Sequence, residues 1–552
     1  MWLDPGGESM QEAPILSQGD NASRRPMDEE PTPTRSQQAI IQAHSKCLRD
    51  PVHDNITLHP LLIAIIDTPQ FQRLRSVQQL GCVSSLFPGA VHTRFEHSVG
   101  TSHLSTKMVL HLKTLHPEIS EADVLCVGMA GLCHDLGHGP YSHLFEHYVN
   151  DQRRRMKKPE WHHETTSIKM FRYLMEVNEI DHELYNLSDS DLNFVQKLIC
   201  GLKTSESWPT DIGRDESKRY LFDIVSNKRN GIDMDKLDYF LRDSLHCYGR
   251  LPVDINVDRI IHSCRAIFCE GQMQLCYEEK VALSLQDVFR LRVQLHKYIY
   301  QHRVTLIIQQ MMLDILMAVG DKFTVCGMPL YDVMENLAVY TKVGDWIFNA
   351  IAATDAPELQ RARDIHDRLL KRNLYKVVQH VVVKPGGPRP TVAGLLTFLP
   401  PHISMENFFV ATAAIKFASE VNERNELEDP LNHVRFFNPK ERQMDRPHPI
   451  LMKQLGGLFS PSVLEEHTVF VCSRSNDGDT IRTIYAAYES WKKGVKEKGD
   501  FVEARGNINS PPPPDAKLES SSNVRKRLRL DVASVSTDPV DVSPMRPPHG
   551  IG

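Results

Sequence analysis

The sequence predicts a mainly α protein, with a helical core, a smaller α+β C-terminal lobe and disordered termini. Three observations carry this reading. Apolar residues recur at helical spacing through most of residues 68–320. After about residue 370 the texture changes to short β-branched and aromatic runs of strand length. Both ends are rich in Pro, Ser and charge with few aromatics, and such stretches bury too little apolar surface to order.

The 552 residues allow roughly two to four domains, or one large domain with extensions. Apolar residues at 41% and charged residues at 24% are ordinary for a soluble globular chain. A net charge of -6 excludes a global pull toward nucleic acid or anionic membrane and leaves local basic patches open. No signal-like start and no apolar run of spanning length is present, so a soluble intracellular protein without a membrane partner is expected. The eleven cysteines form no CxxC pair and read as buried reduced thiols. Cys264, Cys269 and Cys276 stand closer together, and packing is preferred there over redox sensing.

Taken in order, residues 1–40 read as disordered, and order begins near Leu48–His53. Thr68 as cap and Pro69 at the first helical position open a helix. Phe71, Leu74, Val77 and Leu80 share its inner face, and Gly81 ends it. The opposite face, with Gln72, Arg73, Arg75 and Gln79, reads as solvated. Arg94–His97 opens a second helix through Leu104, Met108 and Leu112. Ser120–Asp123 is a capping-box-like start to the helix that ends at His134-Asp135. A further helix runs from Trp161 through Ile168, Phe171 and Leu174, and residues 223–245 and 281–320 read as long amphipathic helices. The basic run Arg153–Lys158 reads as a solvated loop. Strands are expected at 377–383, 408–410, 433–437 and 468–471, and a last helix at 479–497. No internal repeat is visible. The resulting plan is a disordered 1–40, a helical domain 45–370, an α+β lobe 371–500 and a disordered tail 510–552. The tail carries Arg525-Lys526-Arg527-Leu528-Arg529, an import-like basic run, and the Ser510-Pro511 and Ser543-Pro544 phosphorylation candidates.

The most informative stretch is Leu132 through His143. It places three histidines and one aspartate within ten residues, directly after an apolar helix. Burying such groups unpaired is costly, which points to a metal site with a proton-transfer group beside it. Neighbours on a helix point about 100° apart. His134 and Asp135 therefore converge on one ion only where the helix ends, and Leu136-Gly137 loosens the backbone there. Further ligands are required, and a mixed N/O set suits Zn, Fe, Mn or Ni. His97, near Arg94, and Asp235, on one face with Tyr239 and Arg242, are the candidates.

The order His97, His134-Asp135, Asp235 resembles the H…HD…D signature of the HD-domain metal phosphohydrolases. Asp67–Arg75, His92–Ser98 and Ile224–Asp233 closely resemble the vertebrate SAM-and-HD-domain dNTP triphosphohydrolase family, and Tyr300-Gln301-His302 and Tyr375-Lys376 continue the likeness. It runs from about 45 to about 490. The disordered N-terminal segment leaves no room for a SAM domain, so a form lacking it is expected.

The resemblance implies an enzyme that cleaves dNTPs to deoxynucleoside and triphosphate, lowering dNTP pools, with an antiviral restriction role. It assigns His97, His134, Asp135 and Asp235 to a divalent metal, zinc or iron first, with Mg accompanying the bound triphosphates. His143 becomes the general acid, with His138, His163 and Glu164 around it and Glu146 placed to orient an imidazole. Arg94, Lys236 and Arg292 would hold phosphates, and Gln79, Leu80, Tyr239, Asp243 and Tyr300 the sugar. Activation by GTP or dGTP and by dNTPs, with homotetramer formation, is implied as well. Lys46, Asp67, Gln72 and Arg75 match the first activator site. Arg259, Lys280, His302, Arg303, Arg372 and Lys376 match the second, although Glu278 and Tyr298 stand where the family has arginines. The basic tail run implies a nuclear location, with cytoplasm as a further compartment. The competing reading is a catalytically reduced regulator that binds nucleotides or single-stranded nucleic acid.

Overall fold

The hairpin β1 (Lys46–Asp50) and β2 (Asp54–Leu58) leads into the helical core, pairing Lys46 with Leu58. In this computed structural model the described residues are 45–250, 255–383, 386–417, 429–440, 448 and 463–496. The expectations for 1–40 and 510–552, with the import-like run and the two Ser-Pro sites, lie outside the described residues.

After α1 (Pro60–Ile66), Thr68 caps α2 (Pro69–Gln72) by accepting from the Phe71 amide. The helix expected to reach Gly81 stops much earlier: a 3-10 turn ends at Ser76 and Val77 is extended. Tertiary bonds take the backbone away from the helix. Val77 O accepts from Arg94 N at 2.9 Å, and Gln78 N donates to Asp345 Oδ2 at 2.9 Å. Gly81, at φ +55°, leaves room for the Tyr141 carbonyl, which would lie 2.8 Å from a Cβ. The expected solvated face holds only in part, for exposed Arg75 and half-buried Gln72. Arg73 and Gln79 are buried, and Arg75 lies over the Phe95 ring at 3.4 Å.

The core is built on α3 (Arg94–Leu115) and α4 (Glu121–Cys133), packed along each other. Both begin with a capping box, the expected one of Ser120 with Asp123 and an unforeseen one of Thr93 with Glu96. Then come α5 (His143–Arg155), α6 (His163–Val177) and α7 (Asp189–Cys200). The basic run read as a loop is instead partly the last turn of α5. Its cations suit the helix C-terminus and pair with acids, Arg153 with Glu335 at 2.8 Å and Lys158 with Asp332 at 3.2 Å.

The long helix expected over 223–245 is broken. Asp233 accepts from Lys236 N at 3.0 Å and starts α8 (Met234–Tyr248) afresh. The hairpin β3 (Cys264–Cys269) and β4 (Gln272–Glu278) follows. Residues 281–320 are likewise divided into α9 (Ala282–Leu295), a π turn over His296–Tyr300 and α10 (Arg303–Val319), which His302 caps. In both places a capping side chain outcompetes a continuous apolar stripe. Helices α11 (Trp346–Ala353) and α12 (Gln360–Leu370) complete the helical part.

The C-terminal sheet has order β5 (Lys376–Val383), β8 (Glu465–Ser473), β6 (Phe408–Lys416), antiparallel throughout. One side buries Val469 and Val471 under Ile484 and Tyr488 of α13 (Gly478–Lys496). The other buries Phe409, Ala413 and Phe470 against Ile307 and Met311 of α10. Arg474 fastens this seam, donating to both Asp314 oxygens. The strand at β7 (Arg435–Phe437) goes elsewhere: it pairs in parallel with β4, and Val434 and Phe436 join the helical core. All eleven cysteines are unpaired thiols, and Cys264 and Cys276 are buried, as packing requires. Among the described residues no single helix is long and apolar enough to cross a membrane.

Candidate active site

Three helix termini meet at the candidate metal centre. His97 lies in the first turn of α3, His134 and Asp135 follow the last residue of α4, and Asp235 lies in the first turn of α8. His97 Nε2 is 3.2 Å from His134 Nε2, 3.0 Å from Asp235 Oδ1 and 3.5 Å from Asp135 Oδ2. His134 Nε2 is 3.4 Å from Asp135 Oδ1 and 3.3 Å from Asp235 Oδ1.

The outer nitrogens decide the tautomers. His134 Nδ1 is 2.8 Å from Gly131 O, a carbonyl that only accepts, so this nitrogen carries the hydrogen. His97 Nδ1 is 2.8 Å from Asp238 Oδ2 and carries its hydrogen for the same reason. In the neutral rings both Nε2 lone pairs then face each other between two carboxylates. Acceptors from His97, His134 and Asp235 converge within reach of one ion, and Asp135 lies beside them at 3.4 Å from His134 and 3.5 Å from His97, a set that fits a divalent cation.

Asp238 is fully buried and also takes His53 Nε2 at 2.6 Å and Arg242 Nε at 2.9 Å. Burial alone would raise its pKa, yet Arg242, His53 and His97 hold it well below the usual carboxylate range. Burial likewise depresses His97, but hydrogen bonds to Asp235 and Asp238 outweigh this and raise it to about 10. Burial would lift Asp135 too, and Arg94, His134 and His138 keep it ionised.

The proton-transfer candidates form a second group. His138 Nε2 is 3.3 Å from Asp135 Oδ1, and the His138 ring stacks on His163 at 3.8 Å. Burial, then Arg94, hold His138 well below its ordinary pKa, in the neutral state. His143 stands at the edge, its ring 5.1 Å from that of His138. Enclosure lowers its pKa against the pull of Glu146, and water around its 64% exposed side chain screens that shift. Glu146 is nearer to His163 Nδ1, at 2.8 Å, than to His143 Nδ1, at 3.7 Å. Glu164 lies 3.6 Å from His163.

Tyr300 donates to Asp243 Oδ2 at 2.5 Å while His92 Nε2 lies 2.7 Å from Oδ1, so both oxygens of this carboxylate are engaged. Tyr239 sits edge-on to His97, centroids 6.1 Å apart, next to the ligand candidates. Gln79 Oε1 is buried without a partner, and Leu80 packs against the helical core. Arg94 donates to Asp135 and to Ser142 Oγ, while Lys236 holds Asp233 Oδ2 at 2.8 Å and feels Arg292. Arg292 also donates to Lys416 O.

Of the activator candidates, Lys46 and Asp67 pair at 3.2 Å, and Gln72 bonds Ile66 O and Arg75 Nε, so this set shares one surface. In the other set Arg259 donates to Lys280 O, and Glu278 pairs with Lys280 at 2.6 Å. Arg372 donates to Ser85 O, His302 and Arg303 open α10, and Lys376 opens β5.

Sequence reasoning missed Asp238, His53, His92 and Arg73. Asp238 stands one turn after Asp235 with Arg242 at i+4, a spacing that signals a buried pair. The others carry no such signal.

An HD-domain model matches residues 94–238. The chain is similar to the Homo sapiens deoxynucleoside triphosphate triphosphohydrolase SAMHD1, 34% identical over 534 residues, which is 90% of this chain and 82% of that protein. It is 42% identical to the protein of that name from Gallus gallus over 348 residues, 60% of this chain and 55% of that one. A Dictyostelium discoideum SAMHD1 homolog is 30% identical over 484 residues, 87% of this chain and 85% of that protein.

Proposed function

The chain belongs to the SAM-and-HD-domain deoxynucleoside triphosphate triphosphohydrolase family, and from that premise we propose that it cleaves dNTPs at the α-phosphorus, releasing deoxynucleoside and triphosphate. The observation that carries this reading is the convergence of His97, His134, Asp135 and Asp235 beside the Arg94, His138 and His143 cluster.

A divalent metal held by those four residues would polarise a phosphoryl oxygen and acidify a water, and the imidazole–carboxylate set favours zinc or iron. Arg94, Lys236 and Arg292 neutralise the triphosphate, whose Mg ion completes the charge balance. Neutral His138 bridges Asp135 and His163, keeping the ligand carboxylate aimed. His143 donates a proton to the leaving 5′-oxygen, a poor leaving group without it. Tyr239 and Tyr300 wall the sugar, and Asp243, fixed by Tyr300, reads the 3′-hydroxyl.

Regulation by GTP or dGTP at Lys46, Asp67, Gln72 and Arg75 fits the chemistry, because a carboxylate matches the N1–H and N2–H donors of guanine. A dNTP at the second set would then promote a homotetramer. There Glu278 pairs with Lys280 at 2.6 Å and its charge would weaken a bound triphosphate, so the first site is the stronger control. Action in the nucleus, lowering dNTP pools and thereby restricting viruses, completes the proposal.

The test is incubation of purified protein with a dNTP, with and without GTP, followed by chromatography. Deoxynucleoside plus triphosphate, abolished by Asp135→Asn, supports the reading. A nucleoside monophosphate product sinks it.

A further inference from the structure

Leu136, Gly137 and His138 directly follow the ligand pair His134-Asp135, and one pair of side chains captures all three of their carbonyls. Arg73 Nη1 donates to Leu136 O at 3.2 Å and Nη2 to His138 O at 2.5 Å. The Tyr340 hydroxyl donates to Gly137 O, between them, at 2.8 Å. The Arg73 guanidinium lies over the Tyr340 ring, 4.3 Å from its centroid, and its Nε donates to Val343 O at 2.8 Å. Both side chains are buried.

This is an expensive arrangement for mere packing. A buried guanidinium whose hydrogen-bond partners are carbonyls makes no direct ion pair; Asp345 acts on it only through space, against a desolvation cost that an apolar side chain would not carry. What the fork supplies is geometry, since a planar guanidinium addresses two carbonyls at a fixed spacing. The other edge of the loop is equally confined. Gly137 N donates to Ser167 Oγ at 2.8 Å, and a Cβ at Gly137 would lie 2.0 Å from His163 O.

The loop carries Asp135 at one end and His138 at the other, with His138 Nε2 3.3 Å from Asp135 Oδ1. A displacement of its carbonyls therefore moves a metal ligand and its hydrogen-bonding neighbour together. We propose that Arg73 and Tyr340 are positioning residues that clamp the Leu136–His138 carbonyls, setting Asp135 and His138 against His97 and Asp235 without touching substrate. The clamp rests on the hydrolase reading of the site.

The experiment compares wild type, Tyr340→Phe and Arg73→Lys by steady-state kinetics with a dNTP, by metal content, and by amide hydrogen exchange over residues 136–143. Tyr340→Phe keeps the ring and the core. It is expected to fold and to retain metal, to lower kcat about 10–100-fold with KM changed less than about threefold, and to speed exchange in the loop. Arg73→Lys gives the larger effect, because one ammonium cannot span two carbonyls. Wild-type kcat and exchange in both variants would overturn the clamp, as would activity lost only in proportion to metal or folded protein. An inactive wild type would defeat the hydrolase reading alone, and the exchange comparison would still decide the clamp.

Discussion

His97 and His134 present Nε2 to Nε2 at 3.2 Å, each with its Nδ1 hydrogen committed elsewhere, to Asp238 and to Gly131 O. Two facing lone pairs repel unless a cation lies between them or one ring is protonated. The buried acids around them supply the field for either, and the His97 pKa of about 10 is the protonated solution.

Asp238 sets the His97 tautomer, so Asp238→Asn should weaken metal binding about 10–100-fold. Metal retained after dialysis against a graded chelator measures this. Full retention would show that Gly131 and packing orient the rings unaided.

The 3′-hydroxyl reading predicts that Asp243→Ala lowers kcat/KM for a dNTP about 10–100-fold, the loss of one charged hydrogen bond of about 1.5–3 kcal/mol. The same variant should lose most of its preference over the 3′-deoxy analogue. Competition between the two substrates in one reaction gives the ratio directly.

At the first activator surface, Asp67→Ala should raise the GTP concentration for half-activation about tenfold or more while leaving maximal activity at saturating activator near wild type. Lys46 is exposed, so losing its bond to Asp67 costs little stability. An unchanged activation curve would remove guanine from this site.

Asp223 is buried, bonded to the backbone of Leu275 in β4, and burial pushes its carboxyl up to about 6 against Arg229. A raised folded pKa contributes stability that is full below the unfolded value near 3.8 and is lost as pH rises through about 6. Wild type should therefore lose about 2 kcal/mol relative to Asp223→Asn between pH 4 and pH 7. Denaturant unfolding at the two pH values checks this.

Much of the fold is legible in the chain because caps and stripes are local. Thr68 and Ser120 start helices where their spacing says, and the runs of β5, β6 and β8 form a sheet as their branching says. The breaks are not legible, because their causes lie far away in sequence. Val77 leaves its helix for Arg94, Gln78 for Asp345, and β7 joins β4 rather than its own lobe. The site shows the same division. The four ligand candidates are readable from type and order, and the structure draws His97, His134 and Asp235 together with Asp135 alongside. Arg73 read as solvated surface because its partners, Leu136, His138 and Val343, are visible only in three dimensions.

The central claim is that water attacks the α-phosphorus at this metal centre and the 5′-oxygen leaves with the nucleoside. Turnover of a dNTP in H2(18)O, with mass spectrometry of both products, tests it most directly. The account predicts one heavy oxygen in the released triphosphate and none in the deoxynucleoside. Heavy oxygen in the deoxynucleoside, or in a deoxynucleoside monophosphate, would contradict it.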